Sequence, residues 1–111
     1  MLNPNNNDYL LIFCTCPDEE VARKLATLLV EKQYAACVNI IPRLASVYYW
    51  KEKIQTDSES LLLIKSRVDT YSVIEQTIRE QHPYELPEVI AVTISNGLSD
   101  YLRWIDKRLS R

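Results

Sequence analysis

The 111-residue sequence contains a single glycine, Gly97, and a single histidine, His82. Phosphate-binding loops such as GxxxxGK[ST] and GxGxxG need several glycines, so this shortage excludes a glycine-rich nucleotide site. Any site that needs an imidazole must use His82. The CxxC…CxxC, HExxH and EF-hand patterns are also absent from the sequence, which argues against a structural metal site.

Long apolar runs and an excess of basic charge are also missing. The longest apolar run, residues 10–14, falls far short of the roughly 20 residues that span a bilayer, so we expect no membrane partner. With 13 Lys and Arg against 15 Asp and Glu, we expect no nucleic-acid partner either. Residues 1–8 are polar and asparagine-rich, and they predict a disordered tail before a single domain over residues 9–111.

Three cysteines, Cys14, Cys16 and Cys37, occur without a recognisable secretory signal. An odd number of cysteines in this context predicts reduced thiols and a cytoplasmic location. Residues 9–14 form a continuous apolar run, which is typical of a central strand covered on both faces. A helix start is predicted at Thr15, because an acid follows three residues later and proline occupies the first turn.

The rest of the apolar pattern predicts the remaining helices and strands. After the first helix, two long strands follow, and then a second helix that Asp69 caps and Pro83 stops near His82. Residues 88–94 form a fourth strand, and a last amphipathic helix follows Gly97. The order β-α-β-β-α-β predicts an α+β, ferredoxin-like split βαβ fold, an antiparallel sheet with helices on one face, plus a C-terminal helix.

The two long strands predict a β-hairpin that projects from its own sheet. Residues 35–41 and 44–50 form one strand, interrupted at Pro42, which marks a bend, bulge or edge, and residues 54–64 form the other. Residues 35–51 would extend about 55 Å, more than the diameter of a domain of this size. This apolar hairpin either folds back on its own domain or contacts a second subunit. The unpaired backbone groups at its strand edges favour self-association.

Cys14, Cys16 and His82 are the residues that could carry chemistry. Thiolate and imidazole together suit copper and zinc ions. The alternatives are a core role for Cys14 and Cys37, because cysteine is commonly buried, and a helix-capping role for His82 near the surface. The sequence does not decide whether the end of the first strand and the end of the second helix meet.

Five segments occur together and in order: AACVNIIP from residue 35, SVYYW from residue 46, LIK from residue 63, HPYELPE from residue 82, and YLxW from residue 101. In these segments the chain resembles the CutA divalent-cation tolerance proteins, over residues 9–109. The resemblance implies a ferredoxin-like homotrimer joined through the long hairpin, linked to copper and other divalent cations, and not an enzyme.

Residue by residue, the resemblance implies metal ligation by Cys14 and His82. Gln81 stands where some members carry a second histidine, so the resemblance implies weak binding. Two other functions are open: a small-molecule signalling module of the PII-like kind, with its ligand between subunits, and an acylphosphatase-like hydrolase. The acidic residues after the first strand would repel phosphate and speak against the hydrolase.

Members of this family often carry glycine after the proline of the second strand and in the hairpin turn. This chain has Arg43 and Glu52 at those positions. Side chains with a Cβ avoid positive φ, so we expect both residues to adopt ordinary negative φ.

Overall fold

The computed structural model describes residues 8–109, which form four strands and three helices. The strands are β1 (Tyr9–Cys16), β2 (Cys37–Trp50), β3 (Lys53–Arg67) and β4 (Ile90–Thr93). The helices are α1 (Glu19–Glu31), α2 (Val68–Gln81) and α3 (Ser99–Leu109). The strands form one antiparallel sheet in the order β2-β3-β1-β4, which confirms the predicted ferredoxin-like α+β plan. The predicted tail, residues 1–8, lies outside the described residues except for Asp8.

The main core lies between the sheet and the helices α1 and α2. β1 is central, between β3 and β4, as its continuous apolar run predicts. Ile12 and Leu62 of the sheet pack with Leu29 of α1 and with Ile74 and Ile78 of α2. The C-terminal helix α3 belongs to a second cluster, built around the start of β1. None of the helices in the described part of the chain combines the length and apolarity needed to cross a membrane.

Both predicted helix starts are displaced in the structure. β1 continues through Thr15, and α1 is capped by Asp18, whose Oδ1 accepts a hydrogen bond from the Val21 N–H at 2.9 Å. Asp69 is not the cap of α2. Arg67 precedes that helix, and the Thr70 hydroxyl donates to the Arg67 carbonyl at 3.1 Å. Acidic residues in a first helical turn suit the helix dipole whether or not they cap the helix. The acidic residues therefore did not by themselves identify the residue at which either helix starts.

The β2–β3 hairpin projects from the molecule, whose principal extents are 48 × 26 × 22 Å. Its pairing register shifts between Ile41 and Leu44, where Pro42 predicts a bulge. Near the tip, Val47, Tyr49 and Ile54 are 67–70% exposed, so the alternative in which the ribbon folds back on its own domain is wrong. Tyr49 pairs with Ile54 and lies two residues after Val47, so these three side chains share one face. We call them the hairpin patch.

The expectation of negative φ at Arg43 and Glu52 is wrong. Their φ angles are 58° and 66°, and Lys51 has φ 50°. Lys51 and Glu52 form a two-residue hairpin loop in which both central residues have positive φ, as in a type I′ turn, because that geometry matches the twist of the strands. Gly97 does not have positive φ; a Cβ there would lie 2.9 Å from Cδ2 of Leu102, so this glycine allows the close approach of α3.

Glu52→Gly is expected to raise the free energy of unfolding by about 0.5–1 kcal/mol. Glycine removes the cost of the left-handed backbone conformation, roughly 1–2 kcal/mol. Its greater conformational entropy in the unfolded chain offsets part of this stabilisation. Urea unfolding at fixed protein concentration measures the change. Glu52→Ala keeps the Cβ and should give no gain, and an unchanged midpoint for Glu52→Gly would contradict this interpretation of the turn.

Candidate metal centre

The antiparallel topology brings the end of β1 and the end of α2 to the same edge of the sheet. Tyr9 pairs with Arg67, and Cys16 pairs with Ser60, so β1 and β3 run in opposite directions. α2 follows β3 at the Arg67 end and returns along the sheet towards the end where β1 finishes. His82, the residue after α2, therefore lies beside the last residues of β1, a juxtaposition that the sequence left undecided.

Three potential ligands meet at this point: Cys14, Cys16 and His82. One donor atom from each residue lies within 4.8 Å of the others. Both cysteines are fully buried, and His82 is 7% exposed. Among residues 8–109, no other group of three or more His, Cys, Asp or Glu side chains is gathered in this way. The structure thus joins the predicted pair Cys14 and His82, and it adds Cys16.

Cys16 was left out of the predicted ligand pair, although the sequence carried the signal. Residues i and i+2 of a strand project from the same face, and Cys14 and Cys16 have this spacing in β1. A CxC pair alone is a weak metal signal, and the family resemblance implies a metal-linked cysteine only at Cys14, so the predicted pair did not include Cys16. Both sulfurs belong to the main core, so the burial expected for Cys14 is also observed.

His82 is buried, not near the surface as expected, and both of its ring nitrogens are hydrogen-bonded. Nε2 lies 2.7 Å from the Thr15 carbonyl, which can only accept, so Nε2 carries the proton. Nδ1 accepts the Tyr84 N–H at 3.1 Å. The ring therefore also has a structural role, because it joins the loop after α2 to the end of β1.

Tyr84 and Glu59 form a second layer behind the histidine. The rings of Tyr84 and His82 lie 4.7 Å apart between centroids, and the Tyr84 hydroxyl donates to the carboxylate of Glu59 at 2.7 Å. Burial, and then this hydrogen bond, raise the pKa of Tyr84. Glu59 is buried as well, so the hydrogen-bonded Tyr84 ring helps to fix the orientation of the imidazole.

The two thiols differ in acidity because they interact with each other. The hydrogen bond with Cys14 and, against the effect of burial, the bond with His82 lower the pKa of Cys16 to about 6. The same thiol–thiol interaction and burial raise the pKa of Cys14. Burial lowers the pKa of His82, but the neighbouring Cys16 sulfur and the bond to the Thr15 carbonyl outweigh burial and raise it overall. Cys16 therefore loses its proton more readily than Cys14 does.

Cys37 does not belong to the cluster. It pairs with Lys65 of β3, which in turn pairs with Leu11 of β1, five positions before Cys16. At about 3.3 Å per strand residue, this offset places Cys37 about 16 Å from Cys16 along the sheet and about 10 Å from Cys14, with the strand β3 between them. Its side chain is half-buried and reduced, so Cys37 provides a matched control for experiments on the other two cysteines.

The donor set fits a soft or borderline metal ion. Sulfur and imidazole nitrogen suit zinc and copper, whereas magnesium and calcium prefer oxygen ligands. A tetrahedral ion with bonds of about 2.3 Å holds two sulfurs about 3.8 Å apart. The donor atoms here are at most 4.8 Å apart, so side-chain movements of about 1 Å would bring them within bonding distance.

The fold and this donor set define a small ferredoxin-like α+β protein with a buried thiol–imidazole centre. The family model of the CutA1 divalent ion tolerance protein matches residues 10–108. The chain belongs to this family, as its resemblance predicted.

Relatives from distant organisms share most of this chain. Protein CutA of Mus musculus is 46% identical over 93 residues, 84% of this chain and 52% of the relative. The divalent-cation tolerance protein CutA of Pectobacterium atrosepticum is 40% identical over 92% of this chain and 93% of its own. The crystal structure of CutA1 from Oryza sativa superposes with a TM-score of 0.91 at 37% identity and covers 93% of this chain and 94% of its own. The chain spans about half the length of the mouse relative.

Proposed function

We propose that this chain is a homotrimeric, cytoplasmic protein of divalent cation tolerance that binds copper or another divalent cation weakly through Cys14 and His82, and that it is not an enzyme. The observation that carries the proposal is the meeting of the Cys14 sulfur and the His82 ring in one buried cluster. The family's connection with divalent ions supports a cation as the ligand. Residues 9–111 would form the single domain that holds this site.

Weak binding follows from what the ligands must give up. Each ring nitrogen of His82 already has a hydrogen-bond partner on the backbone, so the coordinating nitrogen exchanges one of these bonds for the metal. The thiol of Cys14, whose pKa burial helps to raise, must also lose its proton. Gln81 is exposed and supplies no imidazole, so the chain offers one histidine rather than two.

Self-association is supported by apolar surface that the single chain leaves uncovered. Besides the hairpin patch, the edge strand β4 exposes Ile90 and Val92, α3 exposes Trp104, and Leu98 is exposed just before α3. β2 and β4 lie at the two edges of the sheet and present unpaired backbone groups. Further copies of the chain, packed against these edges and this apolar surface, would cover both, in agreement with the trimer that the family resemblance implies.

Metal titration of the purified protein tests the proposed ligands. Cys14→Ser is expected to weaken binding of Cu(II) and Zn(II) at least about 100-fold, and His82→Gln about 10-fold, because each loses a donor that contacts the ion. Because Cu(II) itself oxidises thiols even when oxygen is excluded, the zinc titration provides the redox-inert measurement against which the copper titration is compared. Cys37→Ser should match the wild type. Equal affinities for the wild type, Cys14→Ser and His82→Gln would overturn the proposed site.

Binding is also expected to depend on pH in a defined direction. The pKa of Cys16 lies at about 6 and that of His82 is raised above its ordinary value of 6.5, so as the pH falls His82 takes up a proton first and becomes a cation, and Cys16 then becomes a neutral thiol. Both protons compete with the metal ion for the ligand atoms. Zinc affinity should therefore fall by at least about tenfold per pH unit below pH 6, and it should continue to rise above pH 7 as the Cys14 proton becomes easier to displace. Competition with a chelator of known pH dependence measures the slope, and an affinity constant from pH 5 to pH 8 would contradict the cluster as the site.

A further inference from the structure

Cys16 places a second sulfur within ligand distance of the first. Cys14 and Cys16 project from one face of β1, and their sulfurs lie within 4.8 Å of each other and of the His82 ring. Neither side chain has any exposed surface. An ion that reached Cys14 and His82 would therefore be in contact with Cys16 as well, whether or not this third group formed a bond with it.

The net charge of an ion bound in the buried cluster depends on whether one or two thiolates bind it. A divalent ion bound by one thiolate and a neutral imidazole leaves a net positive charge in the core, and burial of an uncompensated charge is costly. A second thiolate makes the centre neutral. With a monovalent ion, two thiolates would leave a net negative charge close to the carboxylate of Glu59, whose charge acts on both cysteines. Charge balance thus favours a divalent ion with both sulfurs bound.

We propose that Cys16 is a metal ligand, and that Cys14, Cys16 and His82 form a two-thiolate, one-imidazole centre for a thiophilic divalent ion with a filled d shell, Zn(II) or Cd(II). The inference rests on the proposed function, because it shares Cys14 and His82 with it. On binding, the ion replaces the protons that remain on the two thiols, and these protons pass to solvent without any oxidation or reduction. Hard ions such as Mg(II) prefer oxygen ligands, and none of these three side chains supplies one.

Cadmium is the probe that separates this proposal from a site without Cys16. The full chain is titrated with Cd(II) while the sulfur-to-cadmium charge-transfer absorbance is followed, and affinity is measured by chelator competition. Cys16→Ser is expected to lose about half of the absorbance per bound ion and at least about 100-fold in affinity. Cys37→Ser should behave as the wild type, and Mg(II) should not compete.

The outcomes distinguish this inference from the proposed function. If Cys16→Ser binds Cd(II) like the wild type while Cys14→Ser and His82→Gln lose affinity, the role of Cys16 is overturned and the proposed site stands. If the wild type binds no Cd(II), or if no variant loses affinity, both are overturned. Should Cys16→Ser fail to fold, the ¹¹³Cd chemical shift of the loaded wild type reports the number of sulfur ligands directly: two sulfurs support the proposal, and one or none overturns it.

Discussion

Val47→Asp combined with Ile54→Asp is expected to convert the proposed trimer into monomers. The two substitutions place a carboxylate on each strand of the hairpin, within one exposed apolar face. In an assembly that buries this face, the new charges lose their hydration without gaining a partner, a cost of several kcal/mol per subunit. Light scattering coupled to size-exclusion chromatography should show three times the 13.0 kDa chain mass for the wild type and a single chain mass for the variant.

The matched control for the hairpin variant is Val68→Asp. Val68 is 53% exposed, close to the exposure of the hairpin valine, but it lies at the start of α2, where an acidic residue suits the helix dipole. This variant should keep the mass of the wild type. A wild-type mass of one chain would contradict the trimer. If the doubly substituted protein kept the mass of three chains, the hairpin patch would not be part of the interface.

Asp106→Ala is expected to lower the free energy of unfolding by about 2–3 kcal/mol. The Asp106 carboxylate accepts a hydrogen bond from the Tyr9 hydroxyl at 2.6 Å and forms an ion pair with Arg67. Burial, and then this hydrogen bond, raise the pKa of Tyr9 to about 12. Removing the carboxylate leaves a buried hydroxyl without its acceptor and a partly buried guanidinium without this partner, and α3 loses its polar contact with β1 and β3. Chemical unfolding at fixed protein concentration measures the loss.

Asp100→Ala provides the control on the same helix. The side chain of Asp100 is 83% exposed and pairs with Arg103 one turn away. Exposed pairs of this kind contribute little, so the loss should not exceed about 0.5 kcal/mol. Equal losses for Asp100→Ala and Asp106→Ala would show that the contact between Asp106 and Tyr9 does not stabilise the docking of α3.

The fold was predictable because apolar patterning and strand length are strong local signals. The continuous run at residues 9–14 predicted the central strand, and the long strands around Pro42 predicted the hairpin together with its bulge. Local backbone conformation was not predictable in the same way. Glu52 holds positive φ because strand pairing sets the geometry of the hairpin turn, and Arg43 does so at the bulge in β2, so the pairing of the two strands overrides the preference of each residue.

The candidate site was predictable only in part. Cys14 and His82 could be chosen by chemistry and family resemblance, but nothing in the sequence reported that the Thr15 carbonyl and the Tyr84 N–H would satisfy the imidazole. These bonds depend on the path of the loop after α2, which lies far from β1 in sequence. Cys16 shares a face of β1 with Cys14, but a CxC pair alone is a weak metal signal and the family resemblance singles out only Cys14.

X-ray absorption at the zinc edge of protein loaded with one equivalent of Zn(II) tests metal binding by the thiol–imidazole cluster most directly. Binding by Cys14, Cys16 and His82 predicts sulfur neighbours at about 2.3 Å together with a nitrogen neighbour at about 2.0–2.1 Å. A first shell made only of nitrogen and oxygen atoms would contradict it, because the ion would then lie elsewhere on the protein.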